Sequence, residues 1–173
     1  ARLQAGGLAA AGEQSAGVAL VGLDPQRDAK VLVLNQRVAK GAWLDVSDPK
    51  GVVVGRGLAR TLSLDVGSEL VVLSQGADGS MANDLFRVRG VLQSVAASTD
   101  RSGVLMNEAT FRELMAFSDR AQRVIVKIPA GKDLEAATHT IRAMAPGDSV
   151  QNWKQLNPFI AQMLETVAVQ AKV

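Results

Sequence analysis

Between Val52 and Met106 the chain leaves no room for a long helix. Val52-Val53-Val54 is a β-branched triplet, the mark of a buried strand. It runs into Gly55-Arg56-Gly57 and a short helix, Leu58 to Leu62, with both leucines on one face. Asp65-Val66-Gly67 turns the chain into a strand at Glu69–Leu73, and Gly76-Ala77-Asp78-Gly79 breaks it. From Leu85 to Val95, Phe86, Val88, Gly90 and Leu92 share one parity, while Arg87, Arg89 and Gln93 share the other with Val91 and Val95. This is a long strand with one face buried and the other half wet. Gly103 to Met106 forms a further strand. Strands this close together cannot be joined by crossover helices of ordinary length, so a regular βαβ fold is excluded.

The flanks read less clearly. Ala5 to Gly17, rich in Ala and Gly without a period, reads as a loose or partly helical lead-in. Val18–Leu23 is a strand ending in a turn at Asp24-Pro25, and Lys30–Val38 is a second β-like stretch. Ser47 to Gly51 is a turn, and Asn107 caps a helix to about Phe117, with Phe111, Leu114 and Met115 facing inward. Arg123–Ile128 alternates as a strand, and Asp133 starts a helix through Ala145, stopped by Pro146-Gly147. Ser149–Gln151 is a last short strand. Asn157-Pro158 opens a final helix with Ile160, Met163, Leu164, Val167 and Ala168 on one face. The sum is an α+β chain with a mixed sheet of about seven short strands and three or four helices, in one or two lobes. We expect 1–173 to be one domain, with a strand-rich core at 18–128 and a closing helix, strand and helix at 129–173.

Composition narrows the function. Aromatic residues are only 3%, so the core is aliphatic and a base-stacking surface is lacking. Arg56, Arg60, Arg87, Arg89, Arg101, Arg112, Arg120 and Arg123 are interleaved with apolar or acidic neighbours, and the net charge is +2. Without a basic tract, no nucleic-acid partner is expected. The absence of cysteine removes thiolate metal sites and cysteine nucleophiles. No run approaches the about 20 apolar residues of a membrane span, and the abrupt ends read as those of an excised fragment.

Gly55-Arg56-Gly57-Leu58-Ala59-Arg60 follows a strand and opens a helix, as a dinucleotide fingerprint does, but Arg60 stands where a small third residue is needed. The simpler reading is a tight strand-to-helix turn. His139, the one histidine, lies mid-helix with no nucleophile or orienting partner identifiable. Asp24, Asp28, Asp45 and Asp48 fall among Pro, Lys and Gly, where aspartate serves turns. No catalytic, cofactor-binding or metal-ligating residue is nominated, and no cofactor is expected.

The order of motifs resembles the periplasmic core domain of MacB-type and LolC/LolE-type ABC permeases of the FtsX-like superfamily. The likeness is carried by "VALVGLDP" at 18–25, "GVVVGRGLARTLSLDVGSELVVL" at 51–73 and "FRVRGVL" at 86–92. Asp100, the strand at 104–106, "VIVKI" and "VQNWKQLNPF" follow in order. The resemblance implies an extracytoplasmic domain of a membrane permease, with the final helix leading into a membrane segment. It further implies a second permease subunit (homo- or heterodimer), a cytoplasmic ATPase that does the hydrolysis, and an amphiphilic cargo such as lipoprotein, lipid, peptide or drug. The domain itself would transmit ATP-driven motion and be no enzyme. Lipoprotein-releasing permeases of the LolC kind carry a Pro-containing hook after the strand matching Glu69–Leu73. Here the connection Ser74–Asp84 has no Pro, which fits a hookless subunit. Two other readings stay open: a cell-envelope interaction domain using Trp43, Met81, Phe117 or Trp153, and a small nucleotide-binding enzyme with Gly55–Arg60 at its site.

Overall fold

A hairpin opens the chain where a loose lead-in was expected. In the computed structural model, which describes residues 1–118 and 120–170, strand β1 (Arg2–Ala11) pairs antiparallel with β2 (Gln14–Leu23), from Arg2↔Leu23 to Ala11↔Gln14. Leu3, Ala9, Val18 and Leu20 are buried, while Gly6, Leu8, Gly17 and Ala19 face out. Both faces are small or apolar, so the period-two signal is erased.

The expected strand at Lys30–Val38 is also corrected. Helix α1 (Pro25–Val31) is followed by a 3₁₀ turn at Leu34–Arg37, and only then by strand β3 (Val38–Gly41). The cause is local: the Asp24 carboxylate accepts from the backbone N–H groups of Gln26 and Arg27 at 2.9 and 3.0 Å, and Pro25 sits in the first helical turn. Asp24-Pro25 is thus a capped helix start rather than a bare turn.

The central segment folds as its pattern predicts into β4 (Gly51–Val54), α2 (Arg56–Thr61), β5 (Glu69–Gln75), β6 (Met81–Leu92), β7 (Gly103–Asn107) and α4 (Glu108–Leu114), with one helix that the pattern did not mark, α3 (Ala97–Ser102), between β6 and β7. Asn107 precedes α4, but its side chain makes no capping bond. Its amide instead donates to the carbonyls of Asp45 and Asp48 at 2.8 and 3.3 Å.

The strand order is β3-β6-β4-β7-β2-β1-β5, and β5 also pairs with β6 over Glu69↔Arg87 to Gln75↔Met81. Six strands therefore close into a ring, β1-β2-β7-β4-β6-β5, with β3 appended to the end of β6. Pairs β2–β7 and β4–β6 are parallel and the others antiparallel, so the sheet is mixed as expected. Leu20, Val52, Val54, Leu70, Val72, Phe86 and Val104 form the main core together with Leu58 and Leu62 of and after α2, and Phe111 of α4. Each such buried side chain is worth about 1.5–3 kcal/mol. A second cluster, Leu23, Leu34, Leu44, Val53, Leu92 and Leu105, packs with Trp43. Val52 and Val54 serve one cluster and Val53 the other, which is why this strand is uninterruptedly apolar.

The chain divides into two compact units, Ala1–Val126 and Lys127–Val173. The second holds α5 (Leu134–Met144), α6 (Trp153–Leu156) and α7 (Pro158–Gln170). Asp133 caps α5 as predicted, accepting from Glu135 N and Ala136 N at 2.8 and 3.2 Å. Two expected strands are absent. Among the described residues Arg123–Ile128 contributes only one antiparallel bridge, Arg123 to Arg2 at the start of β1. Ser149–Gln151 is extended and unpaired, leading into a capping box built by Asn152 and Gln155. The seven helices among the described residues exceed the three or four expected, the surplus being one- or two-turn pieces such as α1, α3 and α6. Side chains of Val167 and Ala168, and residues 171–173, lie outside the described residues.

Candidate functional site

The glycine turn is a packing device. Gly55 has φ −68° and ψ 148°, open to any residue, so its own backbone does not demand glycine. Its surroundings do. A Cβ on Gly55 would stand 2.7 Å from the Asp100 carbonyl oxygen and closer still to that of Thr99, and one on Gly57 would also stand 2.7 Å from the Asp100 oxygen. The turn is thus pressed against the backbone of α3, which occupies the space where a phosphate would have to approach. Asp100 is itself engaged: the Ser94 hydroxyl and then the Val95 N–H hold its carboxyl below the usual carboxylate range, with Arg56 adding to the effect.

The turn aspartates are structural as well. Arg89 donates to the Trp43 carbonyl at 2.7 Å, to Asp48 at 3.0 Å and to Asp45 at 3.1 Å, and Arg87 reaches Asp48 at 3.3 Å. Thr110 donates to the Pro49 carbonyl at 3.0 Å. The loop 43–50 is strapped to β6, β7 and α4 from three sides. Asp45 is kept below its ordinary pKa by the Ser47 hydroxyl and backbone N–H, and by Arg89. Asp24 caps α1, and Asp28 is ion-paired with Arg2 at 2.6 Å. The four aspartates do not converge on a point, and among the described residues no cluster of three or more His, Cys, Asp or Glu could hold a metal. His139 is exposed on α5. A depression of about 320 Å³ is lined by Lys50, Glu69, Phe86 and Arg87, but the Lys50 ammonium in it is already paired with Asp84 and stands 5.5 Å from the Phe86 ring centre.

At the position of the hook, β5 and β6 stay paired to Gln75↔Met81, leaving only Gly76–Ser80 as connection. Asp78 accepts from the Ser80 hydroxyl and backbone N–H, which lower its pKa and close the turn. No protruding segment remains there.

Of the expected apolar anchors, Trp43 and Phe117 are partly buried against the two cores, Phe117 edge-on to Phe111 at 6.4 Å. Met81 and Trp153 are exposed. Sequence reading missed a wider feature: Leu8, Val71, Leu73 and Leu85 all point outward from β1, β5 and β6. The available signal lay in β5, where Leu70 and Val72 on one parity and Val71 and Leu73 on the other are all apolar. Phe159, Ile160, Met163 and Leu164 are exposed on α7. Among the described residues no helix is long and apolar enough to cross a membrane.

In fold the chain is similar to the extracellular domain of the noncanonic ABC-type transporter YknZ from Gram-positive bacteria. The TM-score is 0.50 at 15% identity, covering 65% of this chain and 55% of that one. The chain thus spans about half the length of that structure. That likeness is one of fold. No curated protein sequence matches. The sequence profile of the MacB-like periplasmic core domain matches residues 1–144, and the chain belongs to that family, whose members are extracytoplasmic domains of MacB/FtsX-type ABC permeases rather than enzymes.

Proposed function

We propose that residues 1–173 act as one extracytoplasmic domain of a permease subunit that transmits ATP-driven motion to an amphiphilic cargo and performs no covalent chemistry. The observation that carries this reading is the closed ring of six strands. Shearing such a ring requires ladder hydrogen bonds to break in several strand pairs at once, whereas an open sheet can slide at one. A body of this kind moves as a lever. The strapped 43–50 loop and the glycine turn add to its stiffness, since their polar groups are spent on holding the fold. The exposed apolar face of α7 supports its expected approach to a membrane segment. The full protein would pair with a second permease subunit, homo- or heterodimeric, and with a cytoplasmic ATPase. The five-residue β5–β6 turn favours a subunit that recruits no periplasmic carrier through a hook.

The chain has no cysteine, so label pairs are simple to introduce. Thr61→Cys and Gln93→Cys, both exposed, carry spin labels within one domain, and Thr61→Cys alone reports between subunits of the full-length transporter. On nucleotide trapping, the distance between subunits changes while the distance within the domain stays constant. A change within the domain as large as that between subunits would remove the lever reading.

A further inference from the structure

The first half of β6 carries an open stretch of sheet edge. On the side away from β5, β6 pairs with β4 only from Arg87 onward, through Gly51↔Arg87 and the Arg87 N–H donating to the Lys50 carbonyl at 2.9 Å. Ahead of β4 the chain turns off toward α4, where the Pro49 carbonyl accepts from the Thr110 hydroxyl at 3.0 Å. Among the described residues Met81–Phe86 therefore pairs with β5 alone. Because the Arg87 N–H points away from β5, the alternation of a strand aims the backbone groups of Met81, Asn83 and Leu85 the same way. The Leu85 N–H is taken by Asp84 Oδ1 at 2.8 Å. The N–H and C=O groups of Met81 and Asn83, and the C=O of Leu85, have no hydrogen-bond partner among the described residues.

Edges of this kind are commonly blunted by Lys, Pro or a bulge. β3, the strand appended to the ring, is blunted: it is short, carries Lys40 and has a register shift between Val38 and Lys40. Met81-Ala82-Asn83-Asp84-Leu85 has no Lys or Pro and pairs with β5 in unbroken register. Alongside it runs a cleft of about 310 Å³, walled by Ser80, Asn83 and Asp84 on one side and by Thr110, Glu113 and Leu114 of α4 on the other. Asp84 is paired with Lys50, whereas Glu113 is exposed and has no ion pair among the described residues. No basic side chain lines the cleft.

We propose that this cleft binds an extended, basic segment of a partner polypeptide, which adds a strand to β6 along Met81–Leu85 with α4 as its far wall. Outward N–H and C=O groups at strand spacing are matched by another extended backbone, and not by a helix or an acyl chain. The lining is mostly polar and its uncompensated charge is the Glu113 carboxylate, which selects a lysine or arginine side chain on the incoming strand. The open run is short, so a few ladder bonds of modest net worth give a dissociation constant on the order of 1 mM. Affinity this weak holds a segment tethered close by, and not a dilute free peptide. The inference stands on the edge and the cleft and is independent of the permease reading above.

The test is an NMR titration of the isotope-labelled 173-residue chain. The probe is an acetylated and amidated peptide of alternating valine and threonine flanked by lysines, added to about 5 mM. We expect saturable shifts of the Met81 and Asn83 amide signals. Asn83→Pro deletes an outward N–H where an edge tolerates proline, and leaves the ladder to β5 intact. It weakens binding at least tenfold while the melting temperature holds within about 2 °C. Glu113→Lys weakens the lysine-flanked peptide and strengthens a glutamate-flanked one. The probe N-methylated at its central residues tests the same ladder with the protein unaltered, so the result does not hang on whether Asn83→Pro folds, and it binds at least tenfold more weakly. Absence of binding at the highest concentration overturns the proposal, as does equal binding of the methylated probe. Shifts centred on β3, or on the outer face of β1 and β5, overturn it as well. Self-association of the chain without peptide, abolished by Asn83→Pro, assigns the edge to a second copy and equally overturns it.

Discussion

Replacing Gly55 with alanine adds one methyl group where the fold has no space for it. The new Cβ would lie 2.7 Å from the carbonyl oxygen of Asp100, 2.9 Å from its carbon, and closer to the oxygen of Thr99. These are backbone atoms, so no rotamer change relieves the clash. Thr99 O already accepts the N–H of Gly103, and the Gly55 N–H donates to the Gly103 carbonyl at 2.9 Å. Withdrawing α3 therefore strains two hydrogen bonds worth about 0.5–1.5 kcal/mol each, on top of an overpacking cost of roughly 1–3 kcal/mol. The sum is about 3 kcal/mol. For a folding unit of this size that lowers the melting temperature by about 10 °C. The assay is thermal unfolding followed by circular dichroism, with urea titration as a second measure. Gly17→Ala, whose Cβ has open space, is the control and should melt within about 2 °C of the parent or above it. If Gly55→Ala melts with the parent, the turn does not pack against α3 as described, and the case against a ligand at Gly55–Arg60 falls with it.

Val33 holds a β-branched side chain at φ 51°, a left-handed conformation that costs about 1–2 kcal/mol. Val33→Gly should raise stability by about 0.5–1 kcal/mol after the added chain entropy is subtracted, and a lower urea midpoint would contradict this. Arg89→Lys replaces a guanidinium that binds Trp43 O, Asp45 and Asp48 by a single ammonium. Amide exchange across 43–50 should accelerate about tenfold, the equivalent of about 1.4 kcal/mol, and unchanged exchange would show that the strap is idle. Asp78 has a folded pKa below its unfolded value, chiefly through the Ser80 hydroxyl, so its contribution is present above the unfolded pKa and is lost as pH falls through the folded one. Ser80→Ala should flatten the loss of stability as pH falls below about 4, measured as urea midpoints, whereas an acid limb as steep as the parent's would refute the assignment.

The amino-acid pattern by itself determined the elements whose cause is local or one-sided. The alternation of Phe86, Val88, Gly90 and Leu92 against Arg87 and Arg89 marks β6, the Val52–Val54 triplet marks a strand buried on both faces, and Asp133 marks the start of α5. Family resemblance was legible for the same reason, since it lies in the order of these segments. Asp24-Pro25 carried the same helix-start chemistry as Asn157-Pro158 but was masked by the apolar run ahead of it. The tertiary structure alone decided the rest. The β1–β2 hairpin has no period because its inner and outer residues are alike in size and polarity, so only pairing in space assigns their faces. Arg123–Ile128 has the period of a strand but pairs, among the described residues, only through Arg123 with Arg2, and a period alone does not supply the partner that takes up a strand's hydrogen bonds. Ring closure through the β1–β5 pairing, and the apolar outer face it leaves, arise from contacts between strands far apart in sequence, which no local pattern encodes.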